Sequence, residues 1–230
     1  MEDVIKVKDL KKIYGAGEIK VRALNGVNLT IKKGEFTAIV GPSGSGKSTL
    51  LHLMGGLDNP TSGSVILGNT DISRMSGKEL SDFRRDHIGF IFQAYNLIPV
   101  LSAEENVEYI MLLQGLDKEE RHRKVQAILE EVGLKGYERR RPNQLSGGQQ
   151  QRVAVARAIV SHPNIILADE PTANLDSHTG ISLIEKMRQL NIEKGMTFVF
   201  STHDQKIVDR ASRVIHLNDG VVEKDINSAR

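Results

Sequence analysis

Short runs of consecutive apolar residues recur along the chain and predict a sheet that is buried on both faces. Five runs have this pattern: Phe36–Val40, His87–Phe92, Asn164–Ala168, Thr197–Ser201 and Arg213–Leu217. Unbroken apolar runs are typical of parallel strands covered by helices on both sides. We therefore expect an α/β fold with a mainly parallel sheet, whose ligands bind beyond the carboxyl ends of the strands.

In the N-terminal third of the chain, the pattern predicts further strands, which are separated by turns. Three segments are predicted strands: Val4–Val7, Val21–Ile31 and Ser64–Leu67. Segments rich in glycine and other helix breakers lie between and beside them: Tyr14–Gly17, Lys32–Glu35 and Gly55–Gly63. Gly77–Arg85 is predicted to be a helix.

A long insertion separates two of the apolar strands. Roughly 70 residues lie between Phe92 and Asn164, against about 30 for an ordinary βαβ unit. This excess predicts an inserted helical subdomain, with helices at Ala103–Gly115, Lys118–Val132 and Gly147–Val160. A further helix is expected at Gly180–Glu193. We expect one domain, 1–230, with its core at 1–92 and 161–230 and its helical part at 93–160.

A glycine-rich loop between the first apolar strand and a predicted helix indicates phosphate binding. It reads Gly41-Pro42-Ser43-Gly44-Ser45-Gly46-Lys47-Ser48-Thr49. Glycines let backbone N–H groups approach a phosphate chain, and the helix start adds free N–H groups and a positive dipole end. In such a loop Lys47 reaches the β- and γ-phosphates and the Ser48 hydroxyl binds Mg²⁺.

Polar residues follow three more of the apolar strands, so we expect them at the same edge of the sheet. Asp169 is a candidate to hold Mg²⁺ through water, and Glu170 to act as the general base toward the attacking water. His203 is placed to hydrogen-bond the γ-phosphate, although a lone histidine is more often structural. Gln93 can touch Mg²⁺ and water, but alone it favours neither a catalytic nor a structural role.

A second glycine pair predicts another phosphate site. In Leu145-Ser146-Gly147-Gly148-Gln149, Ser146 and Gln149 match a capping box, which by itself indicates only a helix start. Two glycines in a first helical turn are unfavourable by about 1 kcal/mol each, which suggests close approach of another group. A symmetric dimer, in which this segment of each chain closes over the nucleotide of the other, accounts for both phosphate sites.

The composition and charge of the chain limit the kinds of partner and binding site that it can have. The formal net charge of +2 is nearly balanced, so we expect no nucleic acid partner. The absence of cysteine excludes disulfides and thiolate metal sites. The chain starts without a basic and apolar leader, and no stretch approaches the 18–20 apolar residues of a membrane span, so any spanning part is expected on another chain.

These motifs together resemble the ATP-binding subunit of ABC transporters over essentially the whole chain. Gly41–Thr49 resembles Walker A, Ile165–Glu170 Walker B with the catalytic glutamate, and Leu145–Gln149 the ABC signature. Single positions match the Q-loop, the D-loop, the switch histidine and the A-loop aromatic: Gln93, Asp176, His203 and Tyr14. The resemblance implies the ABC ATPase fold, with an N-terminal antiparallel β subdomain. It also implies ATP and Mg²⁺ as cofactors, and an adenine-stacking role for Tyr14, which the sequence alone leaves open.

Three further stretches resemble the LolD/MacB-type branch: 55–58, 92–99 and 145–152. Ala173 departs from it, since that branch often has glycine at this position. The resemblance implies a head-to-tail homodimer that drives a separate membrane permease in lipoprotein, macrolide or peptide export, from the cytoplasmic face of the cell membrane. An FtsE-like ATPase that transmits motion to envelope or cell-division machinery is the alternative. Ala94–Leu101 is expected either near the groove for the membrane partner or packed onto the core. A P-loop GTPase or a small-molecule kinase is an alternative class of protein for the phosphate loop, but proteins of those classes lack the signature motif.

Overall fold

The computed structural model describes residues 2–15 and 20–227, which form two β-sheets and seven α-helices. The strands are β1 (Asp3–Tyr14), β2 (Val21–Lys32), β3 (Phe36–Val40), β4 (Ser62–Leu67), β5 (Thr70–Asp71), β6 (Ile88–Ile91), β7 (Ile165–Asp169), β8 (Thr197–Ser201), β9 (Arg213–Asn218) and β10 (Val221–Asn227). The helices are α1 (Lys47–Met54), α2 (Gly77–His87), α3 (Ala103–Leu113), α4 (Lys118–Glu131), α5 (Gly147–Ile159), α6 (Ser177–Lys194) and α7 (Gln205–Val208).

The two sheets differ in strand direction. The larger sheet has the order β10-β9-β3-β8-β7-β6 and is parallel except for β10, which pairs antiparallel with β9. The smaller sheet has the order β2-β1-β4-β5 and is antiparallel throughout. The predicted fold, with a mainly parallel sheet and an N-terminal antiparallel subdomain, is therefore confirmed.

Local capping explains where several helices begin. Ser76, Ser102 and Ser146 each precede a helix and form a capping box with the residue three positions on. Asp176 caps α6 by accepting a hydrogen bond from the backbone N–H of Thr179 at 3.0 Å. This cap starts α6 at Ser177, before the predicted start at Gly180.

Other boundaries also differ from the sequence prediction. β1 is twelve residues long and extends well beyond Val4–Val7, whereas His87 ends α2 instead of opening a strand. β10 was not predicted at all. Of the turn expected at Tyr14–Gly17, Ala16 and Gly17 lie outside the described residues.

One apolar cluster joins the inserted helices to the larger sheet. It contains Phe36, Ile166 and Phe198 from the strands together with Met111 and Leu129 from the helices, all essentially inaccessible to solvent. A second cluster lies beneath the smaller sheet and includes Leu10, Leu50 and Met54. The predicted helical part, 93–160, therefore shares its core with the sheet, and its status as a separate subdomain stays a prediction.

Within residues 2–15 and 20–227, no helix is both long enough and apolar enough to cross a membrane.

Candidate functional site

The glycine-rich loop lies between β3 and α1, as the sequence predicts. Gly46 has φ +100°, and a Cβ there would lie 2.4 Å from the carbonyl oxygen of Ala23, so the position requires glycine. Gly46 is also the residue that precedes α1, and no side chain in the described residues caps this helix. The backbone N–H groups and the positive dipole end of α1 therefore face the loop without a competing side-chain acceptor.

Two side chains of the loop, those of Lys47 and Ser45, are buried. The Lys47 ammonium donates hydrogen bonds to the carbonyl oxygens of Gly41 and Pro42, each at 2.9 Å, and its side chain is almost fully buried. The hydroxyl of Ser45 is also buried and has no hydrogen-bond partner within the described part of the chain. Lys47 lines the adjoining cleft and Ser45 does not, so Lys47 is the one of the two that can reach an anionic ligand.

Asp169, at the end of β7, lies against the start of α1. Ser48 donates a hydrogen bond to one carboxylate oxygen at 2.9 Å, and His52 Nε2 lies 3.4 Å from the other. Burial works to raise the pKa of Asp169, but the hydrogen bonds from His52 and Ser48 outweigh it, and the net pKa is below its usual value. Asp169 is therefore an ionised carboxylate beside a hydroxyl oxygen.

His52 is a contact that the sequence reasoning missed. It lies four positions after Ser48 and hence on the same face of α1. That spacing was available in the sequence, but only the folded sheet shows that Asp169 lies opposite this face.

Glu170 and His203 contact each other directly. His203 Nδ1 lies 2.7 Å from one carboxylate oxygen of Glu170, and the Thr202 hydroxyl donates to the other at 3.3 Å. Glu170 has φ +45°, a left-handed conformation that non-glycine residues rarely adopt. Its backbone N–H donates to the Ser201 carbonyl at 2.9 Å and so holds the residue in that conformation. Strained backbone of this kind concentrates at functional sites.

The groups predicted at the strand ends do converge on one cleft. This nucleotide cleft, of about 640 Å³, is lined by the glycine-rich loop, Gln93, Glu170 and His203, with Val21, Arg22 and Ala23 at its other side. The backbone oxygen of Gln93 accepts a hydrogen bond from the Asn174 side chain at 2.9 Å. Convergence of these groups from four separate segments is the arrangement that the parallel sheet predicts.

Tyr14 lies at the end of β1, beside this cleft. It pairs across the strands with Val21, which lines the cleft. Its hydroxyl donates a hydrogen bond to Asp58 at 2.8 Å, and the Lys12 ammonium lies over its ring. The ring remains partly exposed, which leaves surface on which a base can stack. The adenine-stacking role itself stays a prediction.

The signature residues line a different hollow. This signature hollow, of about 480 Å³, contains all five predicted residues: Ser146, Gly147, Gly148, Gln149 and Asp176. It shares no lining residue with the nucleotide cleft. In one chain, therefore, the two predicted phosphate sites are separate.

Packing within the chain gives both signature glycines a role. A Cβ at Gly148 would lie 2.6 Å from the Thr179 methyl group of α6, and one at Gly147 would lie 3.0 Å from the Tyr95 hydroxyl. Their lack of side chains is therefore no evidence by itself for a phosphate. The predicted capping box is present: Ser146 accepts from the N–H of Gln149 at 3.3 Å. The Ser146 hydroxyl proton remains available to a ligand.

A glycine-rich loop between strand and helix, with a carboxylate pair and a histidine at neighbouring strand ends, defines a P-loop nucleotide-hydrolysing protein. Residues 24–173 match the family model described as ABC transporter. The chain belongs to the ABC transporter family of ATP-binding proteins, which confirms the resemblance and makes it an ATPase coupled to transport.

Relatives of the LolD and MacB type cover most of the chain. It is 45% identical to the lipoprotein-releasing system ATP-binding protein LolD of Geobacter metallireducens, over 98% of this chain and 100% of LolD. It is 48% identical to the macrolide export ATP-binding/permease protein MacB of Hyphomonas neptunium, over 96% of this chain and 34% of that longer protein. These matches confirm the predicted branch of the family.

The fold is also similar to a solved ATP-binding cassette, MJ0796, a protein of Methanocaldococcus jannaschii. The TM-score is 0.91 at 46% sequence identity, over 97% of this chain and 98% of the other. That structure is a dimer in a post-hydrolysis state, bound to ADP and Pi.

Proposed function

We propose that this chain binds and hydrolyses ATP as a head-to-tail homodimer and thereby drives a separate integral membrane permease. The observation that carries the proposal is the separation of the nucleotide cleft from the signature hollow. A nucleotide held in one chain's cleft can be covered by a signature hollow only from a second copy. The dimeric MJ0796 cassette, solved with ADP and Pi, supports this arrangement.

The oxygen donors at the loop fit Mg²⁺. The Ser48 hydroxyl and the Asp169 carboxylate are 2.9 Å apart, and the Gln93 amide lies in the same cleft. Hydroxyl, carboxylate and amide oxygens are the ligands that Mg²⁺ prefers, and a bound Mg²⁺ neutralises negative charge on the phosphates. We assign Ser48, Gln93 and Asp169 to this ion, with Asp169 acting through water.

The remaining residues of the cleft bind the phosphates and orient the reacting groups. The loop N–H groups and the Lys47 ammonium bind phosphate oxygens, and the exchange of two carbonyl partners for an anion strengthens the bonds of Lys47. Glu170 takes a proton from the attacking water as general base. His203 Nδ1 lies 2.7 Å from Glu170 and orients that carboxylate. With both ring nitrogens protonated, the second N–H of His203 donates to the terminal phosphate.

The signature hollow of the partner completes the site. Ser146, with its free hydroxyl proton, and the N–H groups of Gly147 and Gly148 at the start of α5 bind the phosphates of the facing nucleotide. Gln149 and Asp176 contribute by fixing the helix starts that form the hollow, through their capping hydrogen bonds. ATP thus acts as the bridge that closes the dimer.

A groove beside the helical part is the proposed seat of the membrane partner. Phe92, Tyr109, Leu113 and Arg157 are among its lining residues. In the adjoining segment Ala94–Leu101, Leu97 packs onto the core, whereas Val100 is 69% exposed. Leu97 thus supports the alternative that the segment packs onto the core, and the exposure of Val100 supports the alternative that it lies near the groove for the partner. Binding there would hold the chain at the cytoplasmic face of the membrane, and cargo recognition would belong to the permease.

Replacing Glu170 with glutamine tests the proposed function. Glutamine preserves the shape of the side chain but cannot accept the proton, so ATP turnover should fall about 10²- to 10⁴-fold. ATP should still bind, and the uncleaved nucleotide should trap a dimer that light scattering after size exclusion detects. Steady-state phosphate release measures the turnover.

Glu120→Gln is the matched control, because Glu120 is a partly exposed glutamate of α4, a helix that contributes no residue to the nucleotide cleft. It should keep wild-type turnover and show no trapped dimer. A Glu170→Gln protein with normal turnover would remove Glu170 as the general base. A monomer that persists at saturating ATP would contradict ATP-driven dimerisation.

A further inference from the structure

Three side chains form a compact cluster at the end of β1. The Lys12 ammonium donates to Asp58 at 2.7 Å and to the carbonyl oxygen of Asn59 at 2.7 Å. The Tyr14 hydroxyl donates to the second oxygen of Asp58 at 2.8 Å. The ammonium also lies 4.7 Å from the centroid of the Tyr14 ring. Asp58 therefore connects both residues and is charge-balanced by Lys12.

We propose that Asp58 and Lys12 are positioning residues for the adenine base: they lock the Tyr14 ring in one orientation and leave one of its faces open for stacking. This inference rests on the proposed role of Tyr14 as the base platform, and it adds which groups prepare that platform before the nucleotide arrives.

The hydroxyl tether fixes the orientation of the ring. A tyrosine side chain has two rotatable bonds, and a hydrogen bond to a carboxylate at the far end of the ring restricts both. Burial and the hydrogen bond to Asp58 raise the pKa of Tyr14, so the hydroxyl remains a protonated donor at neutral pH. A ring that is already ordered loses less entropy when a base stacks on it.

The ammonium group determines which face of the ring is free. Lys12 and Tyr14 are two positions apart on β1, so their side chains leave the same face of the strand. The Lys12 side chain is only 13% exposed, whereas Tyr14 is 41% exposed. A cation held against one π-face is favourable and blocks that face to a base, so stacking is confined to the other.

The cluster is built onto the same element that carries the phosphate loop. Asp58 follows α1, and α1 starts directly after Gly46. The strand end is fixed to the segment after α1, since Ile13 N–H donates to the Thr61 hydroxyl at 2.9 Å and Thr61 N–H donates to the Lys11 carbonyl at 2.8 Å. The rigid helix thereby sets the distance from the base platform to the phosphates.

Comparing ADP with inorganic pyrophosphate tests the inference, because the two share phosphates and only ADP carries a base. In titration calorimetry of the full chain, Asp58→Ala and Tyr14→Phe should each raise the Kd for ADP about 2- to 10-fold. The Kd for pyrophosphate should not change. The loss in the double variant should be smaller than the sum of the two single losses, because both changes remove the same hydrogen bond.

Lys12→Met should also weaken ADP binding without affecting pyrophosphate. Asp3→Ala is the matched control, since Asp3 is an ion-paired aspartate on the same strand. Its Kd for ADP and its Kd for pyrophosphate should both remain at the wild-type values. Tyr14→Phe removes a single oxygen atom and so keeps the test valid even if Asp58→Ala fails to fold.

Two outcomes would overturn the inference: unchanged ADP binding in Tyr14→Phe, or losses of equal size for ADP and pyrophosphate. Tyr14→Ala separates this failure from that of the proposed function. If Tyr14→Ala weakens ADP selectively but Tyr14→Phe does not, Tyr14 stacks on the base without help from Asp58. If Tyr14→Ala leaves ADP unchanged, the platform itself is wrong.

Discussion

At the scale of single residues, the backbone of Glu170 has an unfavourable conformation that contacts with neighbouring residues stabilise. A non-glycine residue at φ +45° is strained by about 1–3 kcal/mol. The Ser201 carbonyl, which accepts from the Glu170 N–H, and the contacts of the side chain with Thr202 and His203 hold it there. In this conformation Glu170 lines the nucleotide cleft.

A matched pair of variants measures this strain. Glu170→Ala and Glu170→Gly both remove the carboxylate and its hydrogen bonds, but only glycine adopts a positive φ without steric strain. We expect the glycine variant to be the more stable by about 1 kcal/mol in urea unfolding, although glycine is usually less stable than alanine within regular structure. An alanine variant that is equally or more stable would show that the conformation is not strained.

The positions of single residues were predictable where they follow from a motif, whereas their roles stay predictions. Ser48 lies in the phosphate loop, and four more residues lie within two positions of the carboxyl end of a strand, so strand order brings them together: Gln93, Asp169, Glu170 and His203. The contacts His52–Asp169 and Tyr14–Asp58 join segments with no shared motif, and only the folded chain shows them.

At the scale of elements, a left-handed kink connects β6 to the helical part. Tyr95 and Asn96 have φ +60° and +49°, and Arg157 of α5 donates to the carbonyl oxygens of both, at 2.8 and 2.5 Å. Burial lowers the pKa of the Arg157 guanidinium. This pair of bonds attaches the segment after Gln93 to the signature helix, so the two elements are positioned together.

Removing that attachment should loosen the kink. In Arg157→Ala we expect the amide protons of Tyr95 and Asn96 to exchange roughly 10- to 100-fold faster in native-state hydrogen exchange. Arg157→Lys should recover only part of the protection, since an ammonium cannot reproduce the two-pronged geometry. Arg123→Ala, on the exposed side of α4, serves as control. Unchanged exchange in Arg157→Ala would show that other contacts hold the kink.

Elements were predictable where their apolar pattern was strong. The five buried strand segments were found because both of their faces are covered, one by helices and the other by α1 and the smaller sheet. By contrast, β10 escaped prediction because Glu223, Lys224 and Asp225 make it polar and exposed. Its place in the sheet comes from its pairing with β9 and from the ion pair of Arg213 with Asp225 at 2.6 Å. Tertiary partners of this kind leave little trace in a local pattern.

At the scale of the whole molecule, the proposed head-to-tail dimer requires that the signature hollow be open to a second copy. Ser146→Arg places a long side chain in the hollow, and we expect it to abolish the ATP-dependent dimer and to lower turnover at least tenfold by removing the facing phosphate contacts. Nucleotide binding by the monomer should persist, since the nucleotide cleft is not touched. Light scattering in the Glu170→Gln background measures the dimer.

Asn143→Arg is the control for that experiment, because Asn143 is exposed three residues earlier and does not line the hollow. It should dimerise like the parent protein. A Ser146→Arg protein that forms the dimer and hydrolyses ATP normally would exclude the two-site arrangement.

The apolar cluster shared by the inserted helices and the larger sheet has a consequence for folding. Met111 and Leu129 are buried against a core that includes Ile166 and Phe198, which come much later in the chain. A nascent chain that ends before β7 therefore lacks the surface on which its helices must pack. The helices complete their core only after the strands that follow them have been synthesised. Because they share that core with the larger sheet, we expect the two to unfold together.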